Sequence, residues 1–165
     1  MSDDLTNLLK RLIHAGVEFV LVGGFAGVVY GCNYVTKDVD ICFEFSTANL
    51  LALQKALSGL EPVHRMTPKR KKLHLTKDNC GDFKNLYLTT KIGQLDCLSY
   101  IDGIGDYEKV RKSSRIIQVG KIKMRALSLD ALIKTKKKMN RPRDMDVVKE
   151  LEAIKKLNNS NNKKQ

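Results

Sequence analysis

No Cys-x-x-Cys pair, no Gly-x-Gly-x-x-Gly fingerprint and no apolar run long enough to cross a bilayer occurs in this chain of 165 residues. Each absence closes off a class of protein. Cys32, Cys42, Cys80 and Cys97 are widely scattered and no histidine stands at ligand spacing from them, so they are expected as buried free thiols, not zinc ligands or disulfides. The longest uncharged apolar stretch, 19–31, is too short and glycine-rich for a membrane span. The Met-Ser-Asp-Asp start lacks the basic and apolar regions of a secretory signal, which predicts a cytoplasmic protein with no membrane partner. No Gly-x-x-x-x-Gly-Lys-Ser/Thr run is present, which removes P-loop chemistry. His14, His64 and His74 have no nucleophile or ligand at a telling spacing and receive no role. Acidic residues are also scarce, 18 against 30 Lys and Arg, leaving a formal charge of +12. Such an excess favours a polyanionic partner, RNA above all.

What is present reads as one domain over 1–157, followed by a flexible, polar, low-complexity tail at 158–165. Leu5, Leu8, Leu9, Leu12 and Ile13 recur at helical spacing and stop at Gly16, which predicts a first helix. A buried strand is expected at 17–22, a short internal helix at 24–30, a strand at 39–45 and a helix at 46–57. Strands are expected at 63–66, 72–76, 85–89 and 94–98, then a short helix at 107–111 and strands at 115–119 and 121–125. Two final helices begin near Ser128 and Arg143, parted at 140–142 because the residue before a proline avoids helical geometry. The order gives an α/β (α+β) fold with a mixed sheet flanked by helices.

The segment 19–43 concentrates the chemistry. An apolar strand meets Gly23-Gly24, whose backbone can turn tightly and approach a ligand, and a helix follows that aims free amides at an anion. Asp38 and Asp40 stand two apart on the next strand and so point to one face. Two adjacent carboxylates repel unless a hard cation is shared between them. Asp96, the one acid in the strand-shaped run Gln94 to Leu98, is costly there unless coordinated or hydrogen-bonded. A third carboxylate is the count a phosphoryl-transfer metal site needs.

Gly23-Gly24, Asp38-Val39-Asp40 and Asp96 together resemble the nucleotidyltransferase superfamily. Gly31, Ala26 and Thr36 extend the resemblance to small bacterial members, which include abortive-infection-type toxins and aminoglycoside or lincosamide transferases. The arginine those members carry two residues before the threonine is Tyr34 in this chain. Near the C-terminus Lys136, Arg141 and Asp144 fall on the toxin-like members' basic segment, in which the lysine is implied to contact nucleotide phosphates. The resemblance covers roughly 17–151 and implies a nucleotidyltransferase-like domain that moves a nucleoside monophosphate from a nucleoside triphosphate to an acceptor. Asp38, Asp40 and Asp96 would be catalytic and hold magnesium, two ions or manganese in their place. Gly23, Gly24, Thr36, Lys136 and Arg141 would bind the nucleotide. The charge of +12 favours RNA such as a tRNA end as acceptor over a cationic drug, with a protein or small molecule as the other classes and a toxin-antitoxin setting as one context. The alternative is a silent fold of the same kind acting as an RNA- or protein-binding module.

Overall fold

In the computed structural model, residues 3–33 and 35–162 are described, the side chains of 161 and 162 excepted. The leucines of α1 (Asp3–His14) all face inward, and Gly16 closes the helix at a φ of +73°. The chain continues through β1 (Phe19–Val22), α2 (Gly23–Val29), β2 (Asp38–Phe43), α3 (Thr47–Ala56), β3 (Val63–His64), β4 (Asn85–Thr90) and β5 (Gly93–Leu98). A small hairpin of β6 (Tyr100–Ile101) and β7 (Gly105–Asp106) leads into α4 (Tyr107–Lys112), β8 (Ser114–Val119), β9 (Ile122–Leu127), α5 (Leu129–Met139) and α6 (Pro142–Asn162).

Among the described residues seven strands form one mixed sheet in the order β3-β4-β5-β2-β1-β9-β8. β2 lies between β1, to which it is antiparallel, and β5, to which it is parallel. All four residues of β1 are buried, the mark of a strand covered on both faces. On β2 the residues Val39, Ile41 and Phe43 are buried, while Asp38 and Asp40 alternate with them on the opposite face. Apart from the strand expected at 72–76, the expected elements are present, and all four cysteines are buried free thiols. No helix among the described residues is long and apolar enough to cross a membrane.

Two segments differ from expectation. Residues 72–76 form no strand; the stretch has a single bridge, Val63 to Lys72. The side chain of Gln54 takes the place of a strand partner, accepting from the Leu75 amide at 2.6 Å and donating to its carbonyl at 3.0 Å. Residues 158–162, placed by sequence in a polar tail, continue α6, and 163–165 lie outside the described residues.

Asn49, buried in α3, ties that helix to the sheet. It accepts the Glu18 amide at 2.7 Å and donates to the carbonyls of Glu18 and Glu44 at 2.9 and 2.7 Å. These three bonds satisfy backbone groups at the entry of β1 and the exit of β2. Replacing Asn49 by Ala leaves them without partners, and the expected loss, read from urea unfolding, is about 2–4 kcal/mol.

Candidate active site

The parallel register of β2 and β5 sets Asp40 directly beside Asp96, and Asp38 lies two residues back on the same face. One carboxylate oxygen from each of the three lies within 4.8 Å of the others. Burial, reinforced by the negative charges of Asp38 and Asp96, pushes the Asp40 carboxyl up to about 7. Lys136 and a hydrogen bond from the Gly24 amide act in the opposite direction.

Gly23 is explained by Asp40. Its φ is +67°, and a Cβ built on it would stand 2.1 Å from Asp40 Oδ2. Only glycine allows the carboxylate to rest on that turn. Gly24 donates its amide to the same carboxylate. The Thr36 hydroxyl lies 2.5 Å from Asp38 Oδ1 and so fixes the second carboxylate. Gly23, Gly24 and Thr36 thus have a role the sequence did not suggest: they hold the acids in place. Tyr34 lies outside the described residues.

Arg65, just past β3, is the site residue that sequence reasoning missed. Its Nη2 donates to Asp96 Oδ2 at 2.8 Å. Its Nη1 stands 2.8 Å from Oδ1 in ion-pair contact but outside hydrogen-bond geometry, which leaves Oδ1 a buried acceptor with no hydrogen-bond donor. A single arginine in a chain rich in basic residues gives no local signal, and only the pairing of β3, β4 and β5 brings it here.

The donor set fits a hard divalent cation. Three carboxylates converge, and the ionised form of Asp40 is disfavoured by burial and by its neighbours' negative charge, the second of which a cation reverses. Cys42 lies on the same face of β2 as Asp40, but among the described residues only Asp38, Asp40 and Asp96 bring ligand atoms together here.

Lys136, Arg141 and Asp144 come together beside the acids. Lys136 Nζ donates to Asp144 Oδ1 at 3.1 Å and Arg141 Nε to Oδ2 at 2.6 Å. Burial alone would raise the Asp144 carboxyl, yet the bonds from Arg141 and Lys136 win and hold it below the usual range. Two clefts flank the acids, and Asp38, Asp40, Lys136 and Arg141 line both. The larger, about 690 Å³, is completed by Gly24, Val35, Thr36, Lys37, Arg143 and Asp144. The other, about 460 Å³, is more apolar, with Leu98, Tyr100, Leu127 and Met139 in its wall.

No protein-family profile matches the chain, and no curated protein matches its sequence. Its fold is similar to the crystal structure of a provisionally assigned nucleotidyltransferase from Thermotoga maritima, with a TM-score of 0.52 and 18% identity over 94% of this chain and 91% of that one. At that identity the likeness is one of architecture: the chain has a nucleotidyltransferase-like fold, a mixed sheet flanked by helices, with an acidic cluster at its centre.

Proposed function

We propose that the protein is a metal-dependent nucleotidyltransferase that moves a nucleoside monophosphate from a nucleoside triphosphate to an acceptor, RNA before protein or small molecule. The observation that carries this reading is the convergence of Asp38, Asp40 and Asp96 over a turn where only glycine fits. Held by these three carboxylates, magnesium, as two ions or with manganese in its place, supplies neutralisation of charge on the reacting phosphates. The polar and basic cleft suits the triphosphate, where Lys136 and Arg141 add charge-assisted contacts and Gly24 and Thr36 keep the acids in register with it. The acceptor oxygen bonds to the α-phosphorus as the bond to the β-phosphate bridging oxygen breaks, and pyrophosphate leaves. The acceptor's proton is drawn off at Asp96, whose position Arg65 fixes. A toxin-antitoxin setting, in which a partner protein restrains the transferase, belongs to this proposal.

The competing reading, a silent fold that binds RNA or protein, draws on the same Arg65, which already engages both oxygens of Asp96. Melting with each of the four triphosphates separates the two. Wild type is expected to gain roughly 5–10 °C with one of them at saturation, only with magnesium, while Asp40→Asn gains none and loses transfer activity. A wild-type melt that no triphosphate moves would establish the silent fold.

Metal-free stability gives an independent test. The folded protein keeps the Asp40 proton to about pH 7, whereas the unfolded chain releases it near the ordinary 3.8. Across that window the folded state binds more protons than the unfolded, so stability falls as pH rises and levels off above pH 7. Asp40→Asn is expected to flatten this slope and, at pH 8 without metal, to exceed wild type in stability by at most about 4 kcal/mol. Magnesium should narrow the gap by stabilising wild type alone, and denaturant unfolding at pH 4, 6 and 8 measures all three effects.

A further inference from the structure

We infer that the acceptor is a single strand of RNA, bound across β4 and the loop after β3, on the opposite side of the acids from Lys136 and Arg141. The inference rests on the nucleotidyltransfer reading and names its second substrate and the surface that takes it.

Tyr87 stands in register with Asp96 across β4 and β5, so the two side chains share a face. Along β4, Leu86, Leu88 and Thr90 are buried while Asn85, Tyr87 and Thr89 point the other way, toward solvent. Arg65 places its guanidinium 5.9 Å from the Tyr87 ring centroid while it grips Asp96. An aromatic ring and a planar cation therefore adjoin the carboxylate assigned to the acceptor, and both are surfaces on which unpaired bases stack.

Next along the chain come Lys69, Arg70, Lys71 and Lys72, four consecutive exposed cations. Among the described residues none of them has a carboxylate partner; the salt bridges of the surface lysines lie elsewhere. The Lys71 carbonyl accepts the His64 amide at 2.8 Å, which ties the run alongside β3 and Arg65. The run lies on the outer side of β3, where Lys72 bridges Val63, and so stands three strand spacings from β5, roughly 14 Å. The cations thus flank the acceptor side of the acids with no acid of their own to neutralise. Met66, next to Arg65 in the chain and 72% exposed, adds apolar surface.

A polyanion with unpaired bases matches this combination of uncompensated charge and stacking surface, and it supplies a terminal hydroxyl. RNA is the single-stranded polynucleotide whose bases are commonly presented unpaired. A protein acceptor would leave the stacking surface unused.

The test is fluorescence anisotropy of a labelled, unstructured 20-nucleotide RNA without triphosphate. Four variants are compared with wild type, each checked for an unchanged melt. Lys69→Gln, Arg70→Gln, Lys71→Gln and Lys72→Gln combined is expected to weaken binding at least tenfold and to flatten its salt dependence. The same change at Lys112, Arg115, Lys121 and Lys123, on the far side of the sheet around β8 and β9, is expected to cost less than threefold. Tyr87→Ser should weaken binding at least fivefold and Tyr87→Phe should restore it. Equal losses from the two basic sets, no loss from Tyr87→Ser, or equally tight binding of the DNA of the same sequence would overturn the inference. Wild type that binds no RNA yet keeps its magnesium-dependent triphosphate shift would point to a protein or small-molecule acceptor and leave the transferase reading standing. RNA binding without that shift would overturn the acceptor role.

Discussion

The lateral register of β2 is the constraint from which the acidic centre follows. Val22, Asp40 and Asp96 lie in one row across β1, β2 and β5. A slip of one residue would turn Asp38 and Asp40 into the apolar layer and bring Val39 and Ile41 out. That slip is opposed on both sides, because Val39, Ile41 and Phe43 are fully buried and Gly23 leaves room for a carboxylate only opposite Asp40. Core packing and site geometry are therefore one property of this strand. The burial that fixes the register is also the main reason the Asp40 carboxyl titrates so high.

Two cations restrain the acids from opposite sides. Arg65 reaches Asp96 from β3, and Lys136 offsets Asp40 from α5. Neither cation is an isolated charge. Arg65 lies over Tyr87, and Lys136 is buried against Asp144, itself bonded to Arg141. An alternating array of this kind keeps negative charge concentrated without leaving it unanswered, and removal of either partner of the buried Lys136 and Asp144 pair would strand the other in a poor solvent for charge.

Much of this was legible in the sequence, and most of what was not shares a cause. Asp38, Asp40 and Asp96 stood out because period-two spacing and an acid in an apolar strand are local signals, and the sheet brings all three together. The glycine pair was legible as a special turn, but its reason was not: sequence suggested room for a phosphate, whereas Gly23 is required by Asp40 across the sheet. A strand was expected around Arg65, but its part in the site was invisible because only the pairing of β3, β4 and β5 brings it to Asp96. The expected strand at 72–76 failed for a similar reason, since a glutamine side chain from α3 takes the backbone bonds that a neighbouring strand would have made. Arg65, the role of Gly23 and the missing strand at 72–76 each turn on a contact between residues distant in sequence, of which spacing along the chain carries no record. The Thr36 bond to Asp38 and the continuation of α6 through 158–162 are instead local.

The buried ion pair between Lys136 and Asp144 also sets an order of assembly during synthesis. Val22, Asp40 and Asp96 can take their places on the sheet before α6 exists, but Lys136 gains its counter-ion only when the last helix docks. Until then an ammonium that is buried in the finished fold has no carboxylate to answer it, so the cleft wall that includes Lys136 and Arg141 is completed only once α6 has been made and packed against α5. A nascent chain that stops short of α6 would carry the three acids without the finished cleft.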